Sequence, residues 1–77
     1  MNKLQRNDLE GLKAKIDEVL SDVEQIRDDE QEKYDNTPEN LQNGEPFEKL
    51  DQGIEMLGEI IDDLNNVMVK FDETIQG

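Results

Sequence analysis

Five carboxylates recur every three or four residues in the second half of the chain, and they are the residues best placed for chemistry. They are Glu48, Asp51, Glu55, Glu59 and Asp62. On a helix this spacing places a carboxylate roughly every 5 Å along one face, which is on the scale of the phosphate spacing in one nucleic-acid strand. Such a face can occupy a basic, nucleic-acid-binding cleft on another protein. The same pattern is also typical of a solvated helix surface.

The residue types that most often perform catalysis are missing. The chain has no histidine and no cysteine, so it lacks the commonest general base near neutral pH, a thiolate nucleophile and the usual transition-metal ligands. The stretch DNTPENLQNGEPFE is rich in oxygen ligands, but Asn40 stands where a calcium loop of the EF-hand type needs glycine. We therefore expect no enzymatic activity, no metal and no cofactor.

The charge balance is strongly acidic. Twenty-one acidic and eight basic residues give the 77-residue chain a net charge of −13. Residues 1–34 contribute −4 and residues 35–77 contribute −9. This surface repels phosphate, so direct binding to nucleic acid or to an anionic membrane is not expected, whereas a basic partner protein is compatible with it. No apolar run is long enough for a membrane span or a signal peptide, which predicts a cytoplasmic protein.

Two segments have the apolar periodicity of amphipathic helices. The first comprises Leu9, Leu12, Ile16, Val19, Val23 and Ile26, and the second comprises Phe47, Leu50, Ile54, Leu57, Ile61, Leu64, Met68, Phe71 and Ile75. We predict a single domain over residues 1–77, with helices at about 8–34 and 46–76 joined by a hinge at 35–45. An earlier start of the first helix stays open, because nothing from Lys3 to Arg6 forbids helix.

The predicted helix ends carry recognisable signals. Asn7 or Asp8 can cap the first helix, and Pro46 suits the first turn of the second.

The hinge is too short to connect parallel helices of ~40 Å, so the fold class is an all-α antiparallel two-helix hairpin. The 3.5-residue period of both apolar stripes predicts a coiled-coil-like seam. When Leu9 is placed opposite Phe71, every apolar residue of the first stripe meets one of the second. This register predicts that Leu12, Val19 and Ile26 lie inside the seam.

The hinge itself is predicted to fold over the open end of the hairpin. Thr37 followed by Pro38 is typical of the start of a short helical turn, and Gly44 can end that turn in a left-handed conformation. The turn would bring Leu41, together with Tyr34, over the apolar side chains that begin the second helix. Whether the hinge also binds a ligand remains open at this point.

A further apolar line lies beside the predicted seam. It consists of Met56, Ile60 and Val67, with Leu20 as the counterpart on the first helix. Two helices alone rarely bury enough apolar surface to offset their chain entropy. We therefore predict that two hairpins pair through these residues into a homodimeric four-helix bundle. The alternative is a monomer in which these side chains stay half exposed.

Residues 34–61 resemble a recurrent segment of small bacteriophage and prophage proteins. The shared hinge has the pattern aromatic-Asp-Asn-x-Pro-Glu-x-Leu-Gln. It is matched here by Tyr34, Asp35, Asn36, Pro38, Glu39, Leu41 and Gln42. The hinge follows an acidic helix with the residues Asp29, Glu30 and Gln31 and precedes an apolar-periodic helix. The resemblance implies a viral origin, a hairpin fold and a location in the host cytoplasm, but no particular activity.

Two hypotheses about function follow. In the first, the chain is a phage-type interaction module that modulates a basic or nucleic-acid-binding host protein by presenting its acidic face as a nucleic-acid mimic. In the second, it is a structural or assembly module whose apolar surface packs on partner helices or on a second copy. A complex of the first kind weakens with salt, and one of the second kind does not.

Overall fold

Two long helices account for most of the molecule. The structure, a computed structural model, describes residues 1–77. Helix α1 spans Lys3–Asp35, a single 3₁₀ turn spans Glu39–Leu41, and helix α2 spans Glu45–Gln76, with no strand. The helices pack antiparallel into a rod of 59 × 15 × 13 Å. The predicted all-α helical hairpin is confirmed.

Helix α1 begins at Lys3 rather than near residue 8 because Asn2 caps it. The side chain of Asn2 accepts a hydrogen bond from the Gln5 backbone at 2.8 Å, and the side chain of Gln5 accepts one from the Asn2 backbone at 3.1 Å. This reciprocal pair is a capping box, which satisfies two backbone donors that the first turn leaves free. The prediction that Asn7 or Asp8 caps α1 is therefore wrong.

The hinge contains the predicted short helical turn, but its ends differ from the prediction. The hydroxyl of Thr37 does not cap the turn; it donates a 2.7 Å hydrogen bond to the backbone carbonyl of Lys33, in the last turn of α1. Gly44 is not left-handed: it has φ −90° and ψ 160°, and it is the cap residue of α2. Pro46 lies in the first turn of α2, as predicted.

The inward face of α2 is the predicted one. All nine residues of its apolar stripe are half-buried or buried, and Ile61 is only 6% exposed. The inward face of α1 differs at alternate positions. It comprises Leu9, Lys13, Ile16, Leu20, Val23, Arg27, Glu30 and Tyr34.

Three predicted seam residues of α1 therefore lie outside the seam. Leu12, Val19 and Ile26 are 47%, 50% and 52% exposed. The helix turns its other flank inward, so that Leu20 becomes the central core residue of α1 at 8% exposure. Leu20 and Ile61 are the only buried residues of the chain. The hairpin thus has a narrow core and half-exposed apolar side chains along one edge.

Candidate interaction surfaces

The hinge forms a folded cap whose main contact is aromatic. The rings of Tyr34 and Phe47 stack with centroids 4.6 Å apart and an interplanar angle of 25°. The side chain of Gln42 donates a hydrogen bond to the Thr37 carbonyl at 3.1 Å, which ties the turn together. Leu41 does not cover the apolar residues as predicted, since it is 57% exposed. Of Tyr34 and Leu41, which were both expected to cover the apolar side chains at the start of α2, only Tyr34 does so.

One side of the hairpin carries a stripe of exposed apolar residues, which we call the apolar flank. It comprises Leu12, Val19 and Ile26 of α1 and Ile60 and Val67 of α2. Each of these residues directly precedes an inward-facing residue, so all five have the same position relative to the seam.

Equivalent positions on two antiparallel helices fall on the same side of the pair. The two helices are related by a two-fold rotation about an axis perpendicular to their common plane, and that rotation leaves each side of the plane unchanged. The surface grooves agree with this placement: Val67 lines one groove together with Leu9, Lys70 and Phe71. The five apolar residues therefore form one continuous stripe rather than two separate ones.

The self-association set predicted from sequence is divided by the structure. Met56, Ile60 and Val67 are 57%, 42% and 37% exposed and remain available to a partner. Leu20 is enclosed between the two helices and is not, because it occupies the seam position expected of Val19. Sequence reasoning missed Leu12, Val19 and Ile26 as surface residues. Leu12, Val19 and Ile26 repeat every seven residues, and Val19 directly precedes Leu20. This repeat was the signal in the sequence that they form a stripe of their own.

The opposite side of the hairpin is acidic, and we call it the acidic flank. The predicted carboxylates Glu48, Asp51, Glu55, Glu59 and Asp62 are all exposed, Glu59 on the outer face of α2 next to Ile60 and the other four on the acidic side. Acidic residues of α1 extend this surface. These α1 residues were not assigned to it from the sequence. Glu10 and Asp17 line a groove with Met68 of α2, and Glu24 follows one heptad later. The acidic flank therefore spans both helices, and the seven-residue repeat of these α1 acids predicts it only once the inward side of α1 is known.

Few of the acidic side chains are neutralised by ion pairs. The four pairs are Lys13 with Asp72, Arg27 with Asp28, Lys33 with Glu30, and Lys49 with Glu45. None involves the five predicted carboxylates. The hydrogen bond that Lys33 donates to Glu30, together with the charge of Glu30, raises the pKa of Lys33 above its ordinary value.

The acidic side chains do not cluster into a metal-binding arrangement. The structure contains no group of three or more acidic, histidine or cysteine side chains placed to hold a metal ion. Neither helix has a segment of the length and hydropathy needed to cross a membrane.

Comparison with family models, curated proteins and solved structures gave no significant match. Inference about function therefore depends on the two flanks.

Proposed function

We propose that this chain is a non-enzymatic, phage-type protein-interaction module that presents its acidic flank to a basic host protein. The observation that carries the proposal is the side-by-side alignment of exposed, unpaired carboxylates from both helices. Regularly spaced negative charge on a rigid rod attracts a basic, nucleic-acid-binding surface and steers its approach. The partner class is a nucleic-acid-binding protein of the host cytoplasm, whose cleft the flank would occupy as a nucleic-acid mimic.

The test is the triple substitution Glu55→Gln, Glu59→Gln and Asp62→Asn. It removes three charges of the predicted series, so we expect a basic partner captured from host lysate at low salt to be lost or weakened at least tenfold, as in other charge-driven complexes. Binding is measured by calorimetry once mass spectrometry has identified the partner.

A matched control removes the same number of charges elsewhere. Glu18→Gln, Glu32→Gln and Glu73→Gln alter exposed carboxylates outside the predicted series. This control variant should retain the affinity of the wild type. Equal loss in both triple variants would mean that net charge alone drives binding, and unchanged affinity in the first would reject the acidic flank as the binding surface.

A second candidate function, assembly through apolar surface, is favoured by the seam that α1 adopts. An isolated hairpin would bury more apolar area with Leu12, Val19 and Ile26 inside, yet these side chains are about half exposed, while Lys13 and Arg27 face inward. Apolar residues at the seam positions plus one adjoining position are the pattern of helices in a larger bundle. In this reading two hairpins form a four-helix bundle.

The assembly reading is tested by Ile60→Glu. A charge placed in the apolar flank should abolish a concentration-dependent dimer, which sedimentation equilibrium detects, because the carboxylate would be buried without a partner. Val69→Glu is the matched control, since Val69 is also an exposed β-branched residue of α2 but lies outside the flank. A wild-type chain that stays monomeric at high concentration would reject the assembly reading.

A further inference from the structure

The charged residues that border the apolar flank differ from those on the rest of the surface. The border consists of the residues four positions before each place in the seven-residue repeat of the flank, including the places held by Lys33, Gly53 and Thr74, since side chains four residues apart on a helix are neighbours. On α1 these residues are Asp8, Lys15, Asp22 and Asp29, and on α2 they are Lys49, Met56, Asp63 and Lys70. Lys33 continues the stripe of α1 itself, seven residues beyond Ile26, and lines a groove with Ile26, Asp29, Glu30 and Glu32.

Counted together with Lys33, the charges at these positions are balanced. Four lysines stand beside four aspartates: Lys15, Lys33, Lys49 and Lys70 with Asp8, Asp22, Asp29 and Asp63. The other four basic residues lie elsewhere, Lys13 and Arg27 in the seam, and Lys3 and Arg6 in the first turn of α1. The large negative charge of the chain is therefore carried by the remaining surface, above all by the acidic flank.

This segregation of charge is most evident in the second half of the chain. Residues 35–77 contain eleven acidic residues and only two basic ones, Lys49 and Lys70, and both border the apolar flank. Lys15 and Lys70 form no ion pair within the hairpin. Cations of the border are thus available to an incoming chain.

We propose that the apolar flank and its balanced border bind a second copy of this chain, side by side, to form a four-helix bundle. This inference rests on the assembly reading and names the surface that assembly would use. An isologous interface requires a surface that is complementary to itself. Lysines and aspartates interspersed around an apolar stripe meet this requirement, whereas the other long sides of the hairpin carry net negative charge and repel their own copy.

The same geometry decides what the dimer exposes. The apolar flank and the acidic flank lie on opposite sides of the hairpin. Pairing through the apolar flank therefore leaves both acidic flanks facing outward. Leu12, Val19, Ile26, Ile60 and Val67 then form a second core layer next to Leu20 and Ile61. Each face of the bundle presents one acidic surface, so the dimer is bivalent for a basic partner.

The first test is Val19→Glu in the full chain. We expect loss of the dimer in sedimentation equilibrium, with helix content by circular dichroism retained because residue 19 lies outside the seam. Val69→Glu is again the control and should dimerise like the wild type. Val19 is a sharper probe than Ile60, since this inference places it at the interface and the sequence-based set omitted it.

The second test changes only the border. Lys15→Gln with Lys70→Gln removes the two unpaired cations beside the apolar flank, and Gln52→Glu with Asn66→Glu makes the same change in net charge on the outer face of α2. Since a symmetric dimer contains each site twice, the first variant should weaken dimerisation by about tenfold. The second should change it by less than about twofold.

The outcomes distinguish failure of the proposed surface from failure of dimerisation as a whole. A monomeric wild type would overturn both the assembly reading and this inference. A dimer that is lost with Ile60→Glu but survives Val19→Glu would keep the assembly reading and overturn the flank as its surface. Equal weakening by the two pairs of charge changes would overturn the role of the border. Loss of the dimer with Val19→Glu and with the lysine pair alone would support the inference.

Discussion

Tyr34 illustrates how one side chain closes the open end of the hairpin. Its ring stacks on Phe47 where the helices enter the hinge. The neighbouring inward positions of α1 are Arg27 and Glu30, which contribute little apolar contact. The aromatic pair therefore supplies most of the apolar packing at this end, and the exposed Leu41 supplies little.

We expect Tyr34→Ala to lower the free energy of unfolding by about 2 kcal/mol, from lost apolar burial and the lost aromatic contact. Urea denaturation followed by circular dichroism measures this change. Leu41→Ala is the comparison and should cost less than about 0.5 kcal/mol, because the side chain is mostly in water. A larger effect at Leu41 than at Tyr34 would contradict the cap described above.

At the scale of elements, the two helices differ in how much the sequence reveals. The inward stripe of α2 could be predicted in full because apolar residues occupy all nine of its positions, whereas Ile60 and Val67 beside it form only a partial stripe. Helix α1 has two overlapping stripes that share Leu9, Ile16 and Val23. Leu12, Val19 and Ile26 complete one, and Leu20 belongs to the other. For an isolated pair of helices the first stripe is the expected one, because the second brings the charged side chains of Lys13 and Arg27 into the seam.

The helix ends and the surfaces were predicted less completely than the seam of α2. The sequence does not single out the capping box at Asn2, because Asn7 and Asp8 lie closer to Leu9, the first residue of the apolar stripe. On the surface, the acids of α2 were recognised from their spacing. Glu10 and Asp17 were not, because their proximity to α2 depends on which side of α1 faces inward. The pairing partner of the apolar flank stays a prediction.

Both helices contain glycines at which alanine should be stabilising. Nothing lies within 4 Å of the position a Cβ would take at Gly11 or at Gly58. Alanine at either site should raise the free energy of unfolding by about 0.5–1 kcal/mol, through its higher helix propensity. Thermal unfolding measures the effect. A destabilising Gly58→Ala would indicate that another chain approaches the helix there.

At the scale of the whole molecule, the two proposed interactions respond oppositely to salt. Raising NaCl from about 0.05 M to about 0.5 M shortens the Debye length from above 10 Å to below 5 Å. Screening weakens a complex of the acidic flank with a basic protein. For the dimer, screening weakens the lysine–aspartate contacts of the border, but it weakens the repulsion between two chains of charge −13 more, so pairing through the apolar flank becomes tighter. Sedimentation equilibrium across this range should show tighter dimers at higher salt, and the reverse trend would contradict apolar pairing.

The stacked pair at the hinge also gives the molecule an optical reporter. Tyr34 is the only tyrosine and the chain has no tryptophan, so its intrinsic emission comes from a single ring at one end of the rod. Emission therefore follows the opening of that end, while ellipticity follows both helices. Emission that changes at lower urea than ellipticity would mean that the rod opens from the hinge. Coincident curves would mean that all 59 Å of it melt as a single cooperative unit.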